Sequence, residues 1–229
     1  MKRIWFIALG VLILIALGAV GALYLFLRNE GSGVPPPLAL SKVTSCSSPL
    51  PALAGSWEVR PNGLSVVGYR VTEKFVSLPA KTPAAGRTLL VAGRMTIAGG
   101  LVRSAVVRAD LRGLSSNRGG RDHYLHAHAI QSNLYPMATF LLTSPLRLFP
   151  TPLPGKPVAL AAPGRLTLHG VTHAVTFQLR AQRTCAGIEV VGRLPIKFAD
   201  YRIVPPYVPG FAAVGNAGTI ELKLEFHRQ

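Results

Sequence analysis

Charge is scarce in this chain, and lopsided. Only 15% of the 229 residues are Asp, Glu, Lys or Arg while 49% are hydrophobic, a balance that excludes intrinsic disorder as the overall state. Nine acids stand against 25 Lys and Arg, giving +16. Setting aside the first thirty residues, which hold Lys2, Arg3, Arg28 and Glu30, still leaves +14, so the basicity belongs to the main body. There are two cysteines, and neither sits in a C-x-x-C or other metal-ligand spacing. No G-x-S-x-G elbow, phosphate loop or dinucleotide fingerprint occurs, which leaves serine-nucleophile and nucleotide chemistry without a motif. Proline and glycine are the opposite case. With 19 and 23 of them interrupting any helical pattern, an all-α fold is excluded.

A long apolar run opens the sequence. Ile4 to Leu27 is uncharged, with Lys2-Arg3 before it and Arg28 after it. As a helix it would span roughly 36 Å, enough for a bilayer with some tilt. A cleaved signal with a Val20-x-Ala22 site is the competing reading, but Leu23-Tyr24-Leu25-Phe26-Leu27 stays apolar beyond it, and signal cores usually run to about 7–15 residues. The run is expected to be a retained single-pass transmembrane anchor at 4–27. Two basic residues before it against one after it favour an N-inside orientation. The rest of the chain is then expected on the extracytoplasmic side, in a periplasm or at a cell surface. Cys46 and Cys185 fit that placement, because an even pair in an oxidising compartment usually forms one disulfide. Closing so long a loop should stabilise by about 4–5 kcal/mol. The other reading is two independent buried thiols. Gly31-Ser32-Gly33-Val34-Pro35-Pro36-Pro37 is stalk composition, so residues 28–52 are expected to be a linker and 53–228 the folded domain.

From there the pattern has period two. Val67, Tyr69 and Val71 alternate with Gly68, Arg70 and Thr72; Ala105, Val107, Ala109 and Leu111 with Val106, Arg108 and Asp110. Val175, Phe177 and Leu179 alternate in the same way, and so do Ile220, Leu222, Leu224 and Phe226. Such alternation marks antiparallel strands with one buried and one wet face. Further strands are expected at 86–97, 138–143, 157–169 and 188–198. About eight strands predict an all-β fold, a closed barrel or a sandwich. Ser115 to Asn133 breaks the pattern. There Asp122 could cap a short helix from His123 to about Ser132.

Several blocks carry a family resemblance. Arg121-Asp122 with Leu125, then Tyr135-Pro136-x-Ala138-Thr139-Phe140, resembles the "RD-x-x-L … YP-x-x-x-F" block of the YceI-like, polyisoprenoid-binding proteins. Gly55-Ser56-Trp57-x-Val59 with Ser65-Val66-x-Gly68-Tyr69-x-Val71 resembles the opening strands of that family. Gly164 to Thr172 is similar to its "G-x-L-T-x-H-G-V-T" turn, and Phe198-Ala199-Asp200-Tyr201-x-Ile203 to its "SDFGI" stretch. Two places depart from the pattern. Tyr201-Arg202 replaces an aromatic-glycine pair, and Asn216-Ala217-Gly218 stands where many members carry an acid. The resemblance implies an antiparallel lipocalin-like β-barrel with a hydrophobic lumen for an isoprenoid or other lipid tail. It implies no catalytic residues and no cofactor, so no enzyme is expected.

If the lumen is hollow, the inward set should line it as the ligand site. That set is Val67, Tyr69 and Val71, then Ala105, Val107 and Ala109, then Phe140, Leu168 and Phe177, and finally Leu222 and Leu224. The cavity is expected to be elongated, with its mouth near the helix at 123–132, which could act as a lid. The alternative is a barrel filled by side chains, acting as a basic surface module for anionic lipid headgroups or polymers. Single arginines at 70, 87, 94, 103, 108, 165, 180 and 193 would then carry the binding. Aromatics are too thin on those faces for a specific nucleic-acid partner. His123, His126 and His128 form the one histidine cluster, but with Arg118 and Arg121 beside it and Asp122 the single nearby acid, no metal site is expected. His169 is expected to pack at a strand end. Asp122 is read as a helix cap, or as an ion-pair partner tying the helix to the barrel.

Overall fold

The computed structural model describes residues 33–43, 46, 49–60, 63–76, 81–210 and 212–229. The compact unit described below is Pro35–Gln229. The run at 4–27, read as an anchor, lies outside the described residues, and among those described no helix is long and apolar enough to cross a membrane.

The described strands form one antiparallel sheet that closes on itself. In chain order they are β1 (Gly55–Val59), β2 (Val66–Phe75), β3 (Lys81–Thr88), β4 (Val91–Ala98), β5 (Leu101–Asp110), the short β6 (Ser115–Ser116), β7 (Met137–Leu142) and the short β8 (Leu146–Arg147). After these come β9 (Val158–Leu168), β10 (Val171–Arg183), β11 (Ile188–Lys197), β12 (Tyr207–Val208), β13 (Ala212–Val214) and β14 (Ala217–Arg228). Closure runs β1–β4–β5–β7–β9–β10–β11–β14 and back to β1. Strand β14 meets β1 through Phe226–Arg228 and β2 through Thr219–Lys223, so β1 and β2 act as two halves of one stave. Likewise β3 pairs with β2 while β4 pairs with β1 and β5. The result is an eight-stave barrel.

Alternation explains the staves. In β4, Val91, Gly93, Met95 and Ile97 are buried while Ala92, Arg94, Thr96 and Ala98 are exposed. Strand β5 departs from strict alternation, because the register with β4 shifts between Thr96 and Ile97. Ile97 faces Val102 and Thr96 faces Ser104, leaving Arg103 as an extra residue, so Val102 is buried alongside the inward Ala105 and Ala109 set. Wet outer faces are not universal either. Glu189, Gln182 and Glu221 lie on the polar faces of β11, β10 and β14, yet all are buried.

Part of their cover is the stretch expected to be linker. Ser41 offers its backbone N–H to both oxygens of Glu189 (3.1 and 3.0 Å) and its hydroxyl to Oε1 (2.8 Å). Gln182 Nε2 donates to the Ser41 carbonyl, and Lys223 Nζ pairs with Glu189 at 2.9 Å. Farther along, Arg70 donates to the Pro35 carbonyl and Arg87 to that of Pro36. Prolines hold this segment extended and lack N–H groups of their own, so it presents carbonyls to the arginines beneath it. The Cys46–Cys185 disulfide, with Cα atoms 5.4 Å apart, pins the same strap to the turn after β10.

The helix also differs from expectation. Helix α1 covers Gly119–Tyr124 and continues as one π-type turn over Leu125–Ala129, beginning four residues before the expected His123. Asp122 is not its cap. It sits inside the helix, and its Oδ2 accepts from the Ser116 backbone N–H at 2.9 Å, so the carboxylate closes the loop into α1 instead.

Candidate ligand-binding site

Among the described residues, the barrel interior holds a larger and a smaller apolar cavity. The larger, about 430 Å³, lies at the α1 end; the smaller, about 80 Å³, lies toward the other end. The larger is within the roughly 300–1,000 Å³ typical of small-molecule sites. Of the expected lumen residues, Val67, Tyr69, Val71 and Leu168 line the large cavity. Ala105, Val107, Phe140, Phe177, Leu222 and Leu224 line the small one. Ala109 lines neither and is buried. The same holds for Leu166 and Leu194, which fall between the two lining sets along β9 and β11. The lumen is therefore two chambers with a packed layer between them, not one elongated channel.

Side-chain size decides which end is hollow. At the small end Trp57 is fully buried with its Nε1–H on the Leu53 carbonyl (3.0 Å), and Phe140 meets Phe177 edge-on at 5.1 Å. Phe140 lies so close over Gly164 that a Cβ there would stand 2.3 Å from the ring. At the large end Ala138, Ala212 and Gly218 occupy wall positions that bulkier groups would fill. Val67, Val71, Ile196 and Ile220 face inward and are only half-buried, because they border space rather than neighbours.

One polar cluster interrupts the apolar wall. The period-two face of β2 continues past Val71 to Glu73, whose side chain therefore points inward. Arg121 of α1 reaches it in a two-pronged contact, Nε to Oε1 at 2.7 Å and Nη2 to Oε2 at 2.8 Å. Its remaining nitrogen, Nη1, donates to Ser116 Oγ (3.2 Å) and Asn117 Oδ1 (2.9 Å). Pair geometry of this kind offsets the cost of burying both charges. Tyr69 lies across Gly86 beside this cluster, and a Cβ on that glycine would stand 2.5 Å from the ring. Burial pushes its phenol up to about 12; Arg121 opposes the shift, and the carboxylates of Asp122 and Glu73 add to it. Sequence reasoning found Tyr69 and Arg121 but missed Glu73, although extending the β2 alternation by one step would have found it.

The histidines serve as fastenings. His126 Nε2 donates to the Leu114 carbonyl and Nδ1 contacts Ser132 Oγ, both at 2.8 Å, which ties the π turn to the segment between β5 and β6 and to the loop that follows the turn. His128 packs on Tyr124 at 4.9 Å, and His123 is exposed. Among the described residues no three His, Cys, Asp or Glu side chains form a group that could hold a metal. His169 does more than pack at its strand end. Nδ1 donates to the Tyr201 carbonyl (3.0 Å), Nε2 meets Gln131 Oε1 (3.1 Å), and the ring stands edge-on to Tyr135 at 4.3 Å. Arg94, Arg103, Arg108, Arg165, Arg180 and Arg193 are exposed as expected, whereas Arg70 and Arg87 hold the strap.

Comparison with known proteins places this geometry. The model of the YceI-like domain family matches residues 57–226. Among solved structures, the chain is similar to a polyisoprenoid binding domain from Saccharophagus degradans implicated in plant cell wall breakdown, at TM-score 0.58 and 18% identity, covering 76% of this chain and 98% of that one. It is also similar to BcnA of Burkholderia cenocepacia, at TM-score 0.55 and 18% identity, covering 72% of this chain and 98% of that one. No curated protein matches the chain.

Proposed function

The chain belongs to the YceI-like domain family, and from that premise we propose that it is a lipid-binding protein that takes an isoprenoid or other long apolar tail into its barrel. The observation that carries this reading is the unfilled apolar cavity of about 430 Å³ at the α1 end. An ordinary core would close such a void, since packed interiors leave few spaces larger than a water. The solved relative described as a polyisoprenoid binding domain supports the same reading. The tail enters beneath α1 and lies against Val67, Val71, Ile196 and Ile220, while the Glu73–Arg121 pair and Tyr69 border its polar end. No bond is made or broken, no cofactor takes part, and the protein acts as a carrier or store rather than an enzyme.

The reading extends to location. Ile4–Leu27 tethers the barrel as a single-pass anchor, with the barrel on the extracytoplasmic side. The Cys46–Cys185 disulfide supports that side, because such bonds persist in oxidising compartments.

Native mass spectrometry of the purified chain, followed by organic extraction, tests the function directly: a co-purifying long-chain lipid is expected. In a series of straight-chain ligands, affinity should climb about fourfold per added CH₂, on the order of 0.8 kcal/mol each, until the cavity is full. An affinity indifferent to tail length would refute tail binding.

A further inference from the structure

We propose that the rim of the large cavity is a membrane-docking surface, which sets the cavity mouth against a bilayer carrying anionic lipid. The proposal rests on the tail-binding reading for its purpose, but its geometry stands alone.

The rim is built by the far end of β2, the start of β3 and the β12–β13 hairpin. Across these strands Lys81, Lys74, Ala213 and Tyr207 fall in one row of paired residues, so their side chains share the outer face. Tyr207 is 65% exposed, Val204 just before it 72%, and Val76 at the end of β2 70%. Among the described residues, only five large hydrophobic side chains are exposed to 65% or more, and these are three of them. Each lies close in sequence to the cavity wall, since Phe75, Pro206, Ala212 and Ala213 all line it. Large apolar groups left in water beside a cavity mouth are a costly arrangement for a protein that meets only water.

Charge selects the partner. Lys74 and Lys81 are exposed in the same row, and Arg202 is exposed just before the hairpin. The segments Leu64–Val76, Lys81–Thr88 and Arg202–Val214 contain one acid, Glu73, and its carboxylate is held inside by Arg121. The nearest other acid in sequence is Asp200, on the turn that precedes Arg202. A tyrosine and two aliphatic side chains beside a pair of lysines, with no exposed acid among them, match a bilayer interface with anionic headgroups. A tail passing from such a bilayer into the adjoining apolar cavity never crosses water.

The test uses the full chain in vesicles, so that tethering is common to every sample. An environment-sensitive nitrobenzoxadiazole label is placed at the rim by Val204→Cys, or far from it by Ala98→Cys, at the exposed end of β4. With phosphatidylglycerol in phosphatidylcholine vesicles, the rim label is expected to shift to the blue and to be quenched by lipid-borne nitroxide, while the label at 98 stays aqueous. The double change Lys74→Glu and Lys81→Glu should cut the docked fraction at least about tenfold, since each basic group near an anionic surface contributes about fivefold. A rim label that stays aqueous overturns the proposal. Equal insertion of both labels overturns it too, as does equal insertion with phosphatidylcholine alone, or shielding without lipid by a second copy. Lipid extraction from the same samples separates the two readings. Bound tail with an aqueous rim label refutes docking alone, while an inserted label on a chain that carries no tail refutes the proposed function alone.

Discussion

Glu73 and Arg121 form an ion pair at the edge of an apolar cavity, with side chains only 10% and 12% exposed. Neither charge would be tolerated there without the other. Arg121→Met, which keeps the stem but leaves Glu73 unpaired, should destabilise by about 3–5 kcal/mol in urea unfolding, whereas adding Glu73→Gln to it should recover a large part of the loss. Tyr69 gives a pH signature at the same spot. Its phenol is raised to about 12 by burial, so the neutral form is the one the fold favours. That contribution is fully present below the ordinary tyrosine value near 10 and is lost as pH rises through 12. Thermal melts of the wild type should therefore fall across that window, and those of Tyr69→Phe should fall less.

Two elements depend on contacts from far along the chain. Helix α1 and its π turn are too short to persist alone, and they are held by Arg121 on β2 and by His126 on the Leu114 carbonyl. The strap is held by Glu189 in the same way. Burial opposes the charge of Glu189, but Lys223, Ser41 and Gln182 outweigh it and keep the carboxyl below its ordinary value. A lowered carboxyl stabilises above its ordinary range, and the contribution disappears as pH falls through the folded value. The protection of the Ser41 amide against hydrogen exchange, relative to the intrinsic rate at each pH, should therefore fall on acidification. In Glu189→Gln that amide should exchange faster at neutral pH, with a flatter acid limb.

At the scale of the molecule, the barrel is packed at one end and hollow at the other, so the same kind of substitution should have opposite consequences along its length. Ala138 and Ala109 are paired neighbours on β7 and β5, but Ala138 lines the large cavity and Ala109 lies in the packed layer. Ala138→Trp is expected to fill the cavity, holding or raising the melting temperature while reducing tail binding tenfold or more. Ala109→Trp should overpack and cost roughly 1–3 kcal/mol. If Ala138→Trp bound tails like the wild type, the large cavity could not be the binding site.

Period two marked most of the strands and their inward residues, because alternation is a property of neighbouring residues and needs no knowledge of what lies opposite, but it ran β3 and β4 together as one strand at 86–97, which the structure breaks at Leu89 and Leu90. The sequence left a bridge and two separate thiols both open, and fixed only that a bridge, if formed, joins Cys46 to Cys185, as the structure shows. Tertiary structure alone decided the rest. Whether an inward face borders a void depends on the side chains across the barrel, and so Val67 and Leu222, adjacent in register, end in different chambers. Whether a carboxylate can be buried depends on its partner. Glu73 finds Arg121 at a separation of 48 residues, and Glu189 finds Ser41 at 148. Because the energy of those pairs exists only once the chain has closed, composition could not distinguish the Pro-rich strap from a free stalk.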